Sequence, residues 1–409
     1  MSGTGGRTGG IRLPEALGDY AVVYFGNDWF AENRTSSHHI ARRLGQRMPL
    51  LYVDSPGLRA PAASARDLGR LVRKLREAVR GPRRLGEQMW HCTVPQLPLG
   101  RWSWAGSVGR RLSRGAVRRA VRRLGFQRLL SWFVVPHPGY LAGRLGEEYV
   151  VYYCIDDYAG LPGVDAAAVA RMDEELSRRA DVVFAASPRL LEAKRRLNPA
   201  VVFSPHGVDV ELFARALDPA LPPAPATADL AHPVIGLVGV LDERFDLELL
   251  AYLGRARPEW TFLIVGRVAA EVSELRRLGN FVFAGPQHYE SLPGWMKAFD
   301  VGIMPYRRGR QGLSANPLKM REYLAAGKPV VAAAIPEAER FQAVVRIARE
   351  PGEFLEQIEA ALREDCEAER AARLASVAGM SWEARVGEIL EEVGRRLERK
   401  RAAADQGRA

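Results

Sequence analysis

The hydrophobic pattern of the chain is a series of short apolar runs that each end in polar or turn residues. Tyr20–Phe25 is such a run; the polar loop 26–29, the helical stretch SSHHIARRLGQR and a second run, LLYVDS, follow it. Strand, loop, helix and strand form a βαβ unit, which implies a parallel sheet. Similar runs recur at 129–136, 148–157, 180–187 and 200–207. The pattern predicts a first doubly wound α/β domain over residues 13–213.

A second series of runs predicts a second domain of the same kind over residues 233–378. Its runs lie at 233–242, 260–267, 280–286, 300–306 and 328–333. Residues 214–232 between the series are rich in Ala and Pro and predict a linker. The fold class is therefore α/β, with two Rossmann-like doubly wound domains facing a cleft between the carboxyl ends of their sheets. Residues 1–12 and 401–409 are predicted tails, and 379–400 a helix whose periodicity does not identify its partner.

The composition of the chain indicates the cellular compartment that we expect for the protein. The chain has 409 residues and three cysteines, Cys92, Cys154 and Cys366, without the spacing of a zinc site or a disulfide framework. We found no apolar run near 20 residues and no apolar core in the first twelve, so we expect neither a membrane span nor a signal peptide. The expected location is the cytosol, which is reducing.

The net charge of +11 is concentrated in one segment, residues 59–128, which we predict to be a basic helical insertion in the first domain. Two stretches within it, 66–84 and 101–128, carry apolar residues at helical spacing with arginine on the other face, and tryptophan lies nearby. Basic amphipathic helices of this kind bind anionic membrane surfaces. A solvated helical face explains the same pattern. Nucleic-acid binding is not expected, because aromatic residues are not interleaved through the arginine runs.

One segment of the second domain, Ser314–Ala332, combines a helix start with a basic and an acidic side chain. Pro317 fits the first helical position and Gly327 the left-handed stop, which predicts a helix of about ten residues. Free N–H groups of Ala315 to Lys319 and the Lys319 ammonium suit a phosphate or diphosphate. Glu322, one turn on, accepts hydrogen bonds from sugar hydroxyls. An ordinary surface ion pair of Lys319 with Glu322 is the alternative.

Other candidate residues follow strands, where side chains reach the cleft. In the second domain, small residues that permit close approach and an arginine that suits a diphosphate suggest a donor site. A tight turn with a solvated arginine is the alternative there. The donor-site candidates outside Ser314–Ala332 are Gly239, Asp242, Arg244, Gly266, Arg267, His288 and Tyr306. Those within it are Ser314, Ala315, Asn316, Pro317, Leu318, Lys319 and Glu322.

In the first domain the strongest candidates are Asp156 and Asp157, two adjacent carboxylates at the end of an apolar strand. They are predicted to be catalytic, with Glu322; a turn or helix cap is the alternative. A carboxylate there can orient an acceptor hydroxyl, take its proton or bind the donor sugar, and the sequence does not choose. Residues that end other strands or lie on the first helix are predicted to bind the acceptor: Asn27, Asp28, Trp29, His38 and His137.

The segment Ser314–Ala332 resembles the donor-binding helix of GT-B glycosyltransferases, in the large retaining family that uses nucleotide-sugar donors, the family 4-like enzymes. In that family two glutamates eight positions apart contact the sugar and the ribose. Glu322 fills the second place and Ser314 stands in the first. A subgroup resembling the teichuronic-acid TuaH type also reads NPLK before the glutamate.

The resemblance implies the GT-B fold and transfer of a sugar, with retention of configuration, to an envelope or lipid-linked glycan. We noted no DxD motif, so no cofactor or obligatory metal is expected, and the helix start, Arg244 and Lys319 would supply the positive charge. The expected partners are a nucleotide-sugar donor, the glycan acceptor and an anionic membrane surface. Alternatives are a soluble natural product as acceptor, or a non-catalytic protein that binds nucleic acid or lipid on the same scaffold.

Overall fold

The computed structural model describes residues 12–31, 34–54, 81–94, 103–161, 163–307, 309 and 316–407. Within these residues the chain forms two sheets, one of eight strands and one of six. The first sheet is parallel except for the pairing of β3 with β4. Its strands are β1 (Tyr20–Gly26), β2 (Leu50–Asp54), β3 (Arg83–Arg84), β4 (Met89–Thr93), β5 (Arg128–Phe133), β6 (Tyr149–Cys154), β7 (Val182–Ala185) and β8 (Val201–Phe203).

The first sheet is buried on both faces, which explains its nearly continuous apolar runs. Val22 and Tyr24 of β1 belong to one apolar cluster, and Val23 and Phe25 to another, as the two-residue alternation of a strand requires. The strand order is β3-β4-β2-β1-β5-β6-β7-β8, so the winding reverses between β1 and β5. The helices of this domain are α1 (Ser36–Gly45), α2 (Ser103–Arg123), α3 (Ala166–Arg179) and α4 (Pro188–Arg195).

The second sheet is parallel, with the order β11-β10-β9-β12-β13-β14 and a reversal between β9 and β12. Its strands are β9 (Val234–Val238), β10 (Thr261–Val265), β11 (Phe281–Gly285), β12 (Val301–Met304), β13 (Val330–Ala333) and β14 (Arg346–Ala348). Its helices are α6 (Leu247–Ala256), α7 (Ser273–Arg277), α8 (Leu292–Lys297), α9 (Leu318–Ala325), α10 (Pro336–Glu339), α11 (Pro351–Glu364) and α12 (Glu367–Val377). Ligand crevices of such sheets lie at the carboxyl ends beside the reversal point.

Short polar side chains begin several helices where the apolar periodicity starts. Asp165 accepts a hydrogen bond from the Ala168 N–H at the start of α3, Ser187 one from Leu190 at α4, and Asp246 one from Leu249 at α6. Each of these bonds pairs an N–H group that the helix itself leaves free.

The chain crosses between the two domains at two points, and these points lie next to each other. Helix α5 (Val210–Ala214) leads into the predicted linker, which contains two single turns of 3₁₀ helix, Arg215–Leu217 and Pro225–Thr227. Further along, Val208 N–H donates to the Met380 carbonyl, and Trp382 N–H donates to the Val208 carbonyl. The last helix, α13 (Trp382–Gln406), starts here and contacts α1 and the turn Glu15–Leu17 of the first domain. Its apolar side chains join the cluster that contains β1.

The basic segment is not the all-helical insertion that we expected. Strand β4 pairs in parallel with β2, so residues 89–93 are part of the first sheet. Helix α2 lies within the predicted stretch 101–128, and its Val117 and Val121 are buried in the core, where no membrane can reach them. The predicted stretch 66–84 lies outside the described residues except for 81–84.

The predicted donor helix is shorter than expected. It begins at Leu318 with Pro317 as its cap, because Pro317 has φ −69° but ψ 116°, an extended conformation. It ends at Ala325, and Gly327 takes the predicted left-handed conformation at φ 70°. Strand β13 follows as predicted.

None of the helices in the described part of the chain has the length and apolar content needed to cross a membrane.

Candidate active site

Two glycines form the floor of the cleft in the second domain. Gly239 follows β9 and Gly266 follows β10, and both have φ 144°, a conformation that only glycine adopts readily. A Cβ atom on Gly266 would lie 1.9 Å from the Gly239 carbonyl oxygen. The two strand ends therefore touch through their backbones, which leaves room for a ligand above them.

Arg244 lies in the loop after β9 and is fixed by its neighbour Asp242. The Arg244 Nε atom is 2.9 Å and 3.1 Å from the two carboxylate oxygens of Asp242, and the Arg244 N–H donates to the same carboxylate. Burial opposes the charge of Arg244, but the hydrogen bond to Asp242 and the carboxylates of Asp242 and Asp156 raise its pKa. Arg244 thus stays a cation directed toward the first domain.

Asp156 is the first-domain carboxylate that interacts with Arg244. It follows β6, and its Oδ1 atom accepts a hydrogen bond of 2.8 Å from the Asp157 N–H. Burial raises the pKa of Asp156, and the charge of Arg244 partly offsets this. Asp157 stands at the N-cap position of the 3₁₀ turn Tyr158–Gly160, without a side-chain hydrogen bond to that turn. Tertiary structure therefore separates two carboxylates that the sequence left equivalent.

Lys319 and Glu322 lie on the same side of α9, as predicted, and form a pair with 2.7 Å between Nζ and Oε2. Glu322 is only 3% exposed, so this is not an ordinary surface pair. Burial raises the pKa of Glu322, while Lys319 lowers it. The Lys319 Nζ atom also lies 5.7 Å from the centre of the Tyr289 ring. A buried carboxylate beside a partly exposed cation can hold a hydroxyl and an anion side by side.

Asn316 and Leu318, at the start of α9, contact the first domain. The Asn316 amide nitrogen donates to the Ala186 carbonyl, and its oxygen accepts from Arg321. The Asn316 side chain is therefore hydrogen-bonded to protein groups at both of its polar atoms, and its assignment to the donor site stays a prediction. Pro317 is buried, and Leu318 packs against the core of the first domain. The predicted donor residues Ser314 and Ala315 lie outside the described residues.

Of the remaining donor candidates, Tyr306 packs against the loop that carries Arg244, and the others lie on the surface. Tyr306 stacks on Phe245 with 4.7 Å between ring centres, and burial raises its pKa. Arg267 and His288 are exposed. The neighbour of His288, Tyr289, is the buried residue that contacts Lys319.

The predicted acceptor residues Asn27, Asp28 and Trp29 lie after β1, beside the reversal point of the first sheet. Asn27 donates to Thr35 Oγ1 at 3.2 Å, and Asp28 accepts from the Phe30 N–H at 3.0 Å. The Trp29 N–H donates to Asp54 Oδ1 at 2.9 Å.

The two predicted histidines of this group are both buried or partly buried. His38 has its ring nitrogens 3.0 Å from the Thr35 backbone nitrogen and 2.9 Å from the Asp28 carbonyl oxygen. These contacts hold the loop after β1 against α1, and the assignment of His38 to the acceptor stays a prediction. His137 begins a 3₁₀ turn, Pro138 follows it, and burial lowers its pKa to about 4.

A cluster that the sequence did not reveal joins the two domains beside Lys319. His39 stacks on Trp382 with 4.9 Å between ring centres and meets Tyr289 edge-on at 5.0 Å. Its Nδ1 atom lies 3.4 Å from Asp209, and burial lowers its pKa well below the usual value. Adjacent residues of a helix point about 100° apart, so the sequence already indicated that at most one of His38 and His39 faces the cleft.

Among the described residues, no three His, Cys, Asp or Glu side chains come together in a group that could hold a metal ion.

Comparisons with known proteins agree with this architecture. Residues 232–364 match the family described as glycosyl transferases group 1. The putative teichuronic acid biosynthesis glycosyltransferase TuaH of Bacillus subtilis (strain 168) is 29% identical over 232 residues, which are 53% of this chain and 58% of that protein. The match therefore spans little more than half of the relative's length.

Solved structures resemble nearly the whole chain. A sucrose-phosphate synthase from Thermosynechococcus elongatus has a TM-score of 0.66 at 15% identity, covering 94% of this chain and 100% of that one. An E. coli trehalose-6-phosphate protein bound with UDP-2-fluoro glucose has a TM-score of 0.64 at 13% identity, covering 91% and 99%. Anabaena HepE in complex with UDP and glucose has a TM-score of 0.61 at 15% identity, covering 91% and 98%.

The predicted fold of two Rossmann-like domains is confirmed by these structures and by the two parallel-rich sheets. The chain therefore has the GT-B fold, and residues 232–364 of its second domain are similar to the family described as glycosyl transferases group 1.

Proposed function

We propose that the protein transfers a sugar from a nucleotide-sugar donor to an acceptor hydroxyl, with retention of the anomeric configuration. The observation that carries this proposal is the Lys319–Glu322 pair, with a cation and a buried carboxylate on one side of α9. Arg244 extends the positive charge at the same carboxyl edge of the second sheet. A diphosphate next to a sugar needs this combination of charges.

In this proposal the diphosphate lies above Gly239 and Gly266 and is bound by Arg244 and Lys319. The backbone contact between the two glycines brings the ligand close to the strand ends. Glu322 accepts hydrogen bonds from hydroxyl groups of the donor, since each carboxylate oxygen has a second lone pair beside the one facing Lys319.

The bond between the anomeric carbon and the diphosphate oxygen breaks, and a bond to the acceptor oxygen forms on the same face. Positive charge at Arg244 and Lys319 stabilises the departing diphosphate, so we propose that no metal is obligatory. Asp156 orients the acceptor hydroxyl or takes its proton; the raised pKa of Asp156 makes it a stronger base than an exposed aspartate.

We further propose that the acceptor is an envelope or lipid-linked glycan, reached at the inner face of the membrane. The outer face of α2 supports this, because it exposes arginines at 110, 111, 114, 118, 119, 122 and 123 with no acid between 103 and 123. Val108 and Leu112 on the same helix are 42% and 53% exposed. Each basic side chain near anionic lipid contributes about 1 kcal/mol. The name of the TuaH relative points to the same class of acceptor.

A thermal-shift screen of nucleotide sugars tests the donor site. Uridine nucleotides come first, because two of the similar structures hold UDP or a UDP sugar. A ligand at about 100 times its Kd stabilises the folded state by about 2.7 kcal/mol. Glu322→Gln should remove most of the shift, and the exposed Glu356→Gln is the matched control. A wild-type protein that responds to no nucleotide would contradict the proposal.

Two further measurements address its remaining parts. Proton NMR of the product gives the anomeric configuration, and inversion would exclude the retaining reaction. Turnover that disappears in EDTA and returns with a divalent ion would exclude metal independence.

Liposome flotation tests the membrane surface. Vesicles with anionic lipid should retain the protein at low salt, and Arg118→Glu with Arg122→Glu should release it. If flotation depends neither on the lipid charge nor on these substitutions, α2 is excluded as the membrane contact surface. A soluble acceptor would then be the better proposal.

A further inference from the structure

One side chain joins the start of the donor helix to the first domain. Asn316 is 9% exposed and precedes α9. Its amide nitrogen is 2.5 Å from the Ala186 carbonyl oxygen, and its amide oxygen is 2.5 Å from Arg321 Nη1. Ala186 follows β7 of the first sheet, so this amide bridges the cleft.

The direction of the Asn316 amide is fixed by its partners. Arginine only donates hydrogen bonds and a carbonyl only accepts them, so the amide oxygen must face Arg321 and the nitrogen must face Ala186. An aspartate here would satisfy Arg321 but would place an oxygen against the Ala186 carbonyl. Asparagine is therefore the residue type of this size that suits both partners.

Both ends of this bridge are rigid. On the first-domain side, the Ala186 N–H donates to the Cys154 carbonyl at 3.0 Å, which fixes Ala186 next to the end of β6. On the other side, Arg321 is 1% exposed and is paired with Glu337 of α10.

A second contact lies beside this bridge. Glu337 also pairs with Arg340 at 3.1 Å. The Arg340 guanidinium lies 4.9 Å from the centre of the Phe203 ring in β8. The network around Asn316 therefore meets the first domain twice.

The position of this bridge relates it to the candidate active site. Lys319 and Glu322 are on the helix that Asn316 precedes, and Asp156 follows the strand whose Cys154 carbonyl holds Ala186. The Asn316–Ala186 bond therefore connects the elements that carry the donor and acceptor groups.

We infer that Asn316 is a positioning residue that latches α9 onto the first domain and holds the cleft closed. The latch itself follows from the contacts of Asn316, and its effect on sugar transfer rests on the proposed function. Opening the latch separates Glu322 and Lys319 from Asp156 without removing any of them.

The substitution N316D distinguishes a latch from a role inside the second domain. Aspartate keeps an oxygen toward Arg321 and adds a charge pair there. If the only role of Asn316 is to bind Arg321 within the second domain, N316D should therefore be as stable and as active as wild type. A latch predicts that the two domains separate, because two oxygens then face each other at Ala186. The matched control is N280D, since Asn280 donates to the Gly254 and Arg257 carbonyls within the second domain.

Small-angle X-ray scattering of the ligand-free proteins measures the separation directly. We expect a larger radius of gyration for N316D than for wild type and N280D. With the identified donor, kcat/KM of N316D should fall by about tenfold or more, the effect of one orphaned buried carbonyl. N316D with wild-type scattering would overturn the latch.

The scattering result does not depend on catalysis, so an inactive wild type would count against the proposed function alone. Should N316D fail to fold, N316A removes both bonds without adding charge and decides the question. An open N316A supports the latch, and a closed one overturns it.

Discussion

His206 makes the stability of the fold sensitive to mild acid, and replacing it should remove part of that sensitivity. It is 4% exposed in the turn after β8. Its Nδ1 atom lies 3.0 Å from Ser36 Oγ, and its ring bonds to the Ile155 carbonyl. Burial, with the charges of Arg321 and Arg385, lowers its pKa from 6.5 to about 3. The folded protein therefore keeps this ring neutral where an unfolded chain would protonate it.

The size of the effect follows from this difference in pKa. The stabilising contribution is fully present above the unfolded pKa of 6.5 and is lost as pH falls from there toward about 3, because the unfolded state takes up the proton first. At about pH 5 the loss is about 2 kcal/mol, which is about 1.5 pKa units at 1.36 kcal/mol each.

Urea unfolding at about pH 7.5 and about pH 5 measures this contribution. Glutamine can replace both hydrogen bonds of the ring but does not titrate. Between the two conditions, His206→Gln should therefore lose about 2 kcal/mol less free energy of unfolding than wild type. The exposed His288→Gln is the matched control. Equal losses in wild type and His206→Gln would refute the reasoning.

Three other substitutions test the packing around the cleft. Gly266→Ala places a Cβ atom 1.9 Å from the Gly239 carbonyl oxygen, so it should lower the melting temperature and weaken any nucleotide-dependent shift. Glu337→Ala leaves Arg321 buried without its carboxylate, which should cost about 3–5 kcal/mol in urea unfolding. Trp382→Ala removes a side chain that is 1% exposed and should cost about 3–5 kcal/mol, with faster tryptic cleavage between the domains. Unchanged stability in any of the three would contradict its assigned packing.

Much of the fold could be predicted because parallel strands buried on both faces leave continuous apolar runs. Strands β4 and β14 were missed for a physical reason. Met89–Thr93 carries a tryptophan and a histidine amid arginines, and it becomes a strand by pairing with β2. Arg346–Ala348 has only three residues and is a strand because it pairs with β13. Such pairings depend on segments distant in sequence.

The candidate site could be predicted where its interacting residues lie close together in one segment of the sequence. Lys319 and Glu322 share a helix face, so their spacing was enough. Asp156 and Asp157 are neighbours in the sequence, and Asp156 is distinguished by the charge of Arg244, which is on the other domain and more than 80 residues away along the chain. The role of Asn316 depends in the same way on a carbonyl of the first domain. Contacts between domains leave no periodic signal.

Helix α13 has a consequence for how the protein is made. Its residues Trp382, Val386, Ile389 and Leu390 belong to the same apolar cluster as Val22 and Tyr24 of β1. The ribosome synthesises β1 before the second domain and α13 after it, so part of the first domain's core stays uncovered until α13 has been made. Premature termination before Trp382 should therefore leave the first domain with exposed apolar surface and prone to aggregation.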